Sequence, residues 1–307
     1  MAFRTETTPV LECRLRWEEK RKWSGFNPVM THKDKIMMIK LTVLFAVTLG
    51  TLSCSIAQEN TAGSSSTDIQ EGAGDIHTMD PLLQAKTTCL SSNYFVSMPE
   101  GDHGEKMPII IYLHGGGSKG VKMRKIDHCI PRLKYGIDKY DKGPCIVVVP
   151  QCLAKAEDGT RGRWRPADLN IFLENLMNTL PVDPDRVYLT GNSMGGSGSW
   201  AWGASHPEHF AAIAPVSGGV GNRDSEEASP KIEAMAKRLA TVPVYAFAGE
   251  KDDVVSPENS KRMIAAIQKA GGAQARLKVY PDAGHGAKGI TYKSQEFYDW
   301  MFSKTRK

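Results

Sequence analysis

The sequence predicts an α/β fold, a mostly parallel central sheet with helices on both faces. Three observations carry this. Short apolar β-type runs alternate with helix-length segments from about residue 88 onward. Several of those runs are continuous rather than alternating, as in strands buried on both faces. No period of about 20–50 residues recurs, so a solenoid is not expected.

The expected strands are 109–113 (IIIYL), 145–149 (CIVVV), 186–190 (RVYLT), 210–215 (FAAIAP), 244–248 (VYAFA) and 276–280 (RLKVY). Helices are expected over 125–139, 167–179, 194–206, 231–239, 257–270 and 294–302. In the second, Leu169, Phe172, Leu173, Leu176, Met177 and Leu180 recur at helical spacing. In the fifth, Met263, Ile264 and Ile267 do the same, and Gly271-Gly272 ends the helix. Residues 88–307 are therefore expected to form one domain.

Upstream, Lys33, Lys35 and Lys40 precede the apolar run Leu41–Leu49, and Ser55-Ile56-Ala57 follows. A basic region, a short apolar core and a small-x-small end predict a secretory signal peptide cleaved after Ala57. The run is shorter than the roughly 20 residues that span a bilayer, so no stable membrane insertion is expected after cleavage. Lipidation at Cys54 is a weaker alternative, because Leu52 is displaced from the usual lipobox position. The long stretch before it raises Met30, Met37 or Met38 as the start of translation. Residues 58–87, rich in Ser, Thr, Gly and acidic groups before residue 80, are expected to be a flexible lead-in.

The prefix also carries the charge. The whole chain has 39 Lys plus Arg, 34 Asp plus Glu and a net charge of +5. Nine of those basic and five of those acidic residues lie in 1–57, which leaves 30 and 29, a net of +1. A nucleic-acid partner is therefore not expected. Downstream, Cys89, Cys129, Cys145 and Cys152 remain, and an oxidising compartment permits disulfides whose pairing the sequence does not choose. No CxxC or Cys/His spacing suggests a metal, and no cofactor is expected.

The chemistry is expected at strand ends. Gly191-Asn192-Ser193-Met194-Gly195 lies directly after an expected strand and before an expected helix. A nucleophile on a sharp strand-to-helix turn needs small flanking residues, which Gly191, Gly195 and Gly196 supply. A serine hydroxyl also needs a base. After the expected cleavage site, His77, His103, His114 and His128 precede Ser193, and His206 and His209 follow too soon for another strand and its acid. His285, in a Gly-rich loop after the last strand, is the remaining candidate. The acid should follow the strand 244–248; Asp252 is preferred, with Asp253 and then Glu250 as competitors and Asp282 assigned to a turn. An oxyanion hole is expected from the backbone N–H groups of Met194 and Gly116, with Gly115 second. His114 is expected to anchor that loop. Trp164, flanked by Arg161, Arg163 and Arg165, is a candidate wall of the substrate cleft, and Trp200 a core residue.

With these motifs placed, the chain resembles the α/β-hydrolase superfamily. More narrowly, it is similar to the bacterial predicted-peptidase and esterase group near dienelactone hydrolases, prolyl-oligopeptidase catalytic domains and feruloyl or polyhydroxybutyrate-depolymerase-type esterases. The resemblance rests on PIIIYLHGGG, CIVVVPQC, RWRPADL, the stretch from Pro181 to Gly219, VYAFAGEKDDVVSPENS and YPDAGH, and covers about residues 90–303. It implies an α/β-hydrolase fold and a catalytic triad of Ser193, Asp252 and His285. It departs from the group after His285, where Gly286, Ala287, Lys288 and Gly289 stand in place of an acidic or aromatic residue. The expected activity is an exported, periplasmic or secreted, serine carboxylic-ester hydrolase acting on short acyl or aryl esters, small or glycan-linked. A serine peptidase with the same triad and a non-catalytic binding protein are the alternatives.

Overall fold

The computed structural model describes residues 74–101, 104–220 and 229–306. The signal peptide, the cleavage after Ala57 and Cys54 fall outside the described residues.

Eight strands form one sheet: β1 (Asp75–Thr78), β2 (Leu90–Ser97), β3 (Met107–Leu113), β4 (Ile146–Cys152), β5 (Val182–Asn192), β6 (Ala212–Val216), β7 (Val244–Gly249) and β8 (Ala275–Tyr280). Their order is β1-β2-β4-β3-β5-β6-β7-β8. β1 pairs with β2, and β2 with β4, antiparallel; every other pairing is parallel. The helices are α1 (Pro81–Gln84), α2 (Cys129–Lys139), α3 (Pro166–Thr179), α4 (Met194–Ser205), α5 (Ser229–Leu239), α6 (Glu258–Lys269), α7 (Lys288–Thr291) and α8 (Gln295–Phe302). Among the described residues no helix is long and apolar enough to cross a membrane.

The continuous apolar runs divide by alternation into two cores. Ile109, Ile111, Leu113, Val148, Leu189 and Ala246 point to one face, where α3, α4, α5 and α6 supply Phe172, Trp202, Leu239 and Met263. Ile110, Tyr112, Val147, Tyr188 and Phe247 point to the other, against Ile130 and Leu133 of α2 and Phe297 and Met301 of α8. A side-chain period of two on a doubly covered sheet requires this split.

The six expected strands and six expected helices all form, with ends displaced by a few residues. β1 and β2 were not expected. β2 carries Ser91, Ser92 and Asn93, and β1 is an exposed edge, so neither shows a continuous apolar run. The flexible lead-in is corrected for residues 74–87. Asp80 caps α1 by accepting from Leu82 N and Leu83 N, and Met79 and Leu83 are buried. Two buried apolar side chains anchor the segment without leaving a readable period.

α2 crosses α8 at Gly136, where a Cβ would penetrate the ring of Tyr298. That ring is fully buried, and its hydroxyl donates to Tyr292 O at 3.0 Å, so it has nowhere to move. At an open helix site Gly→Ala gains about 1 kcal/mol. Here the overpacking wins, and Gly136→Ala is expected to lower stability by about 1–3 kcal/mol in urea unfolding.

Candidate active site

Ser193 sits where β5 ends and α4 begins, with φ 58° and ψ −117°. A non-glycine residue held there is strained. The turn is closed by backbone contacts on three sides. Ser193 N donates to Val216 O of β6 at 2.9 Å. A Cβ on Gly191 would lie 2.6 Å from Gly195 O and 2.7 Å from Leu113 O. A Cβ on Gly195 would overlap Leu113 O, and one on Gly196 would overlap Val216 O. The three glycines are therefore demanded by close packing of the turn onto β3 and β6.

His285 reaches this turn from the loop after β8. Its Nε2 is 2.8 Å from Ser193 Oγ, and its Nδ1 is 2.9 Å from Asp252 Oδ2 and 3.0 Å from Asp252 Oδ1. Asp252 follows β7 and its side chain is fully buried. Its Oδ1 also accepts from Val254 N at 2.9 Å and Val255 N at 2.8 Å, so the turn itself orients the carboxylate. The competitors lie elsewhere. Asp253 is exposed, Glu250 accepts from Lys261 Nζ at 3.2 Å, and Asp282 pairs with Lys251 at the surface. With Nδ1–H donated to the carboxylate, Nε2 is the free lone pair facing the hydroxyl, which is the arrangement proton removal needs.

The glycine loop after β3 lies across from the turn. A Cβ on Gly115 would lie 3.6 Å from Ser193 Cβ, and one on Gly116 would lie 3.9 Å from Met194 Cβ. Gly116 opens a 3-10 turn and Met194 opens α4, so both N–H groups belong to first-turn positions without an intrahelical acceptor. His114 holds this loop from behind. Cys152 N donates to His114 Nε2 at 3.1 Å, so that nitrogen is an acceptor. The proton must then sit on Nδ1, which donates to Gly115 O at 2.9 Å. Trp164 Nε1 donates to His114 O at 3.0 Å, and the two rings meet edge-on at 4.8 Å.

Residues 166–294 match the dienelactone hydrolase family. A carboxymethylenebutenolidase-like protein of Salmonella typhimurium is 34% identical over 103 residues, 34% of this chain and 37% of that protein. The chain thus matches little more than a third of the length of such curated relatives. A feruloyl esterase C-type protein of Aspergillus terreus is 29% identical over 60% of this chain and 63% of its own length. Among solved structures, a thermostable esterase superposes with TM-score 0.59 at 24% identity, covering 75% of this chain and 63% of that chain. A ferulic acid esterase of Anaeromyces mucronatus does so with TM-score 0.57 at 16% identity, covering 76% and 93%. The chain has the α/β-hydrolase fold.

Within that α/β-hydrolase frame, Ser193, Asp252 and His285 come together, and Gly116 and Met194 face each other beside them. Trp164 is a correction. It is 5% exposed and packs on Gly198 of α4, where a Cβ would lie 2.8 Å from its own, so it braces the glycine loop and does not line a cleft. Trp200 is fully buried, as expected. The Val254 and Val255 amides and the bond from Cys152 to His114 were missed. The first could have been found from the Asx-turn tendency of Asp252 before Val-Val; the second leaves no mark in the sequence. Among the described residues, one group offers metal-type ligands close together: His206, Glu208 and His209. It lies beyond the far end of α4, about 18 Å of helix from Ser193. A cleft of about 1000 Å³ at the opposite end of the parallel strands includes Asp185, Glu208, Arg238 and Arg306, whose charges pair with one another.

Burial pulls the His114 imidazole down from 6.5 to about 4. The unfolded chain therefore binds a proton near pH 5 that the folded chain refuses. Protonating Nε2 would also set N–H against the Cys152 N–H. This group's stabilisation is complete above about pH 6.5 and is lost as pH falls through about 4, a change on the order of 3 kcal/mol. Urea unfolding across that window is expected to show the slope in the unaltered chain and a flatter one in His114→Gln.

Proposed function

We propose that this chain is a serine hydrolase of carboxylic esters that works through an acyl-enzyme. The observation that carries the proposal is the continuous hydrogen-bond path from Ser193 Oγ through His285 to the buried Asp252 carboxylate. Ser193 attacks the ester carbonyl while His285 Nε2 takes its proton. Asp252 keeps the proton on Nδ1 and stabilises the imidazolium. The Gly116 and Met194 N–H groups receive the tetrahedral oxyanion. His285 then protonates the leaving alcohol, and water releases the acid by the same steps in reverse roles.

The substrate class we propose is a short acyl or aryl ester, free or attached to a glycan. The similarity to a feruloyl esterase-type relative supports the aryl branch. The basic and apolar segments around Leu41–Leu49 support export to the periplasm or the medium, with release after Ala57.

Ser193→Ala is expected to abolish hydrolysis of p-nitrophenyl acetate and labelling by a fluorophosphonate. Labelling at the unaltered level in that variant would overturn the assignment. A matched anilide hydrolysed as fast as the ester would instead favour a peptidase. Asp252→Asn is expected to lower kcat by about 10³–10⁴-fold through loss of the productive tautomer. Asp253→Asn, altering an exposed neighbour, is expected to leave kcat unchanged in the same assay.

A further inference from the structure

The four described cysteines are all buried thiols, but they are not equivalent. Cys89 Sγ and Cys152 Sγ lie 3.9 Å apart, in van der Waals contact. Both belong to the core on one face of the sheet, with Trp164 and Phe172. Cys129 and Cys145 belong to the core on the other face, with Tyr112 and Tyr298. Of the three complete pairings open to four cysteines, two would carry a bond through the sheet. Only the pairing that joins Cys89 to Cys152 keeps each cysteine on its own side.

The backbone already holds the two residues in place. Cys89 N donates to Asp168 Oδ2 at 2.8 Å, and Leu153 N donates to Cys89 O at 2.9 Å. Leu90 of β2 is the register partner of Cys152 at the end of β4. Cys152 O accepts from Gly120 N at 2.9 Å. A disulfide bond is about 2.05 Å long, so the sulfurs must close by about 2 Å. Side-chain rotation must supply that movement if the strand pairing is to be kept.

We propose that Cys89 and Cys152 are a disulfide-forming pair that ties the residue just before β2 to the last residue of β4, next to the His114 loop. The two thiols lose two protons and two electrons to a low-molecular-weight disulfide such as glutathione disulfide. One S–S bond forms in the protein, one breaks in the oxidant, and the oxidant leaves as two thiols. Burial holds the Cys152 thiol far above its ordinary pKa, so the attacking thiolate is scarce once β2 has docked. The bond therefore closes during folding and forms slowly in the folded, reduced chain. It lies one backbone N–H away from His114, since Cys152 N is the donor to Nε2.

The test reads the covalent state and needs no substrate, so it is independent of the hydrolase proposal. The full chain is reduced, unfolded, refolded in a glutathione and glutathione-disulfide buffer, alkylated and digested. The expected result is a linked peptide pair containing Cys89 and Cys152, with Cys129 and Cys145 alkylated. The oxidised form is expected to melt about 5 °C or more above the form refolded in reductant. Cys89→Ser/Cys152→Ser is expected to erase that difference; should it not fold, the peptide map of the unaltered chain decides alone. Alkylation of both Cys89 and Cys152 in a chain that unfolds cooperatively would overturn the proposal. So would linkage of either to Cys129, Cys145, Cys13 or Cys54.

Discussion

The site depends on one constraint, the seating of the Ser193 turn between the ends of β3 and β6. The backbone at Ser193 is held in a conformation that costs about 1–3 kcal/mol for a residue with a side chain. Nothing local to the serine favours it. It is imposed from outside, by Val216 O receiving Ser193 N and by Leu113 O lying where a Cβ of Gly195 would stand. The neighbouring exit from β6 is shaped by the same crowding. Ser217 takes φ 46°, and a Cβ on Gly196 would lie 2.9 Å from Gly218 Cα. Two turns at adjacent strand ends press on each other, and glycines on both sides let them do so.

The sheet order then explains why the chain runs serine, acid, histidine. β5, β7 and β8 are parallel, so their C-terminal ends share one edge of the sheet. Ser193 leaves β5, Asp252 follows β7 and His285 follows β8. β6 carries no member of the set, but it stands between β5 and β7 and holds the serine amide. Crevices outside the carboxyl ends of parallel strands are where such folds place ligands. The charged cleft at the opposite edge gathers residues before β6, β7 and β8 and contains none of the three.

What the sequence made legible follows burial. β3, β4, β6 and β7 are buried at every position, and β5 from Val187 onward, so their runs are apolar nearly throughout and do not read as amphipathic. β8, at the sheet edge, keeps Arg276 exposed and Lys278 half-buried. β2 is buried throughout only from Tyr94 on and β1 is an exposed edge, so their places come from pairing, β2 with β4 and β1 with β2, rather than from pattern. Ser193 and His285 were legible because motif context and chain order left one candidate each. Asp252 was separated from Asp253 and Glu250 only by the fold of the turn, since three carboxylates within four residues differ in direction and not in chemistry. Trp164 misled for a related reason. An aromatic among arginines resembles a cleft wall, while the space that receives its ring is made by Gly198, 34 positions away in the chain.

The glycine loop after β3 raises the opposite problem to the serine turn. His114-Gly115-Gly116-Gly117 has little intrinsic preference for one shape, and an oxyanion donor is useful only if its N–H is already aimed before charge develops. A loop of glycines gains close approach to the Ser193 turn and gives up rigidity. The rigidity is returned by His114, whose two ring nitrogens bridge Gly115 O to Cys152 N, and by Trp164, which holds the His114 carbonyl. These bonds fix both the loop and the neutral tautomer that makes them possible, so protonating His114 would break its bond from Cys152 N. The same β4 end that receives His114 carries the Cys152 thiol against Cys89. The shape of the loop in front of Ser193 is therefore set by what lies behind it, in the packing of β2, β4 and α3, and not by the loop's own residues.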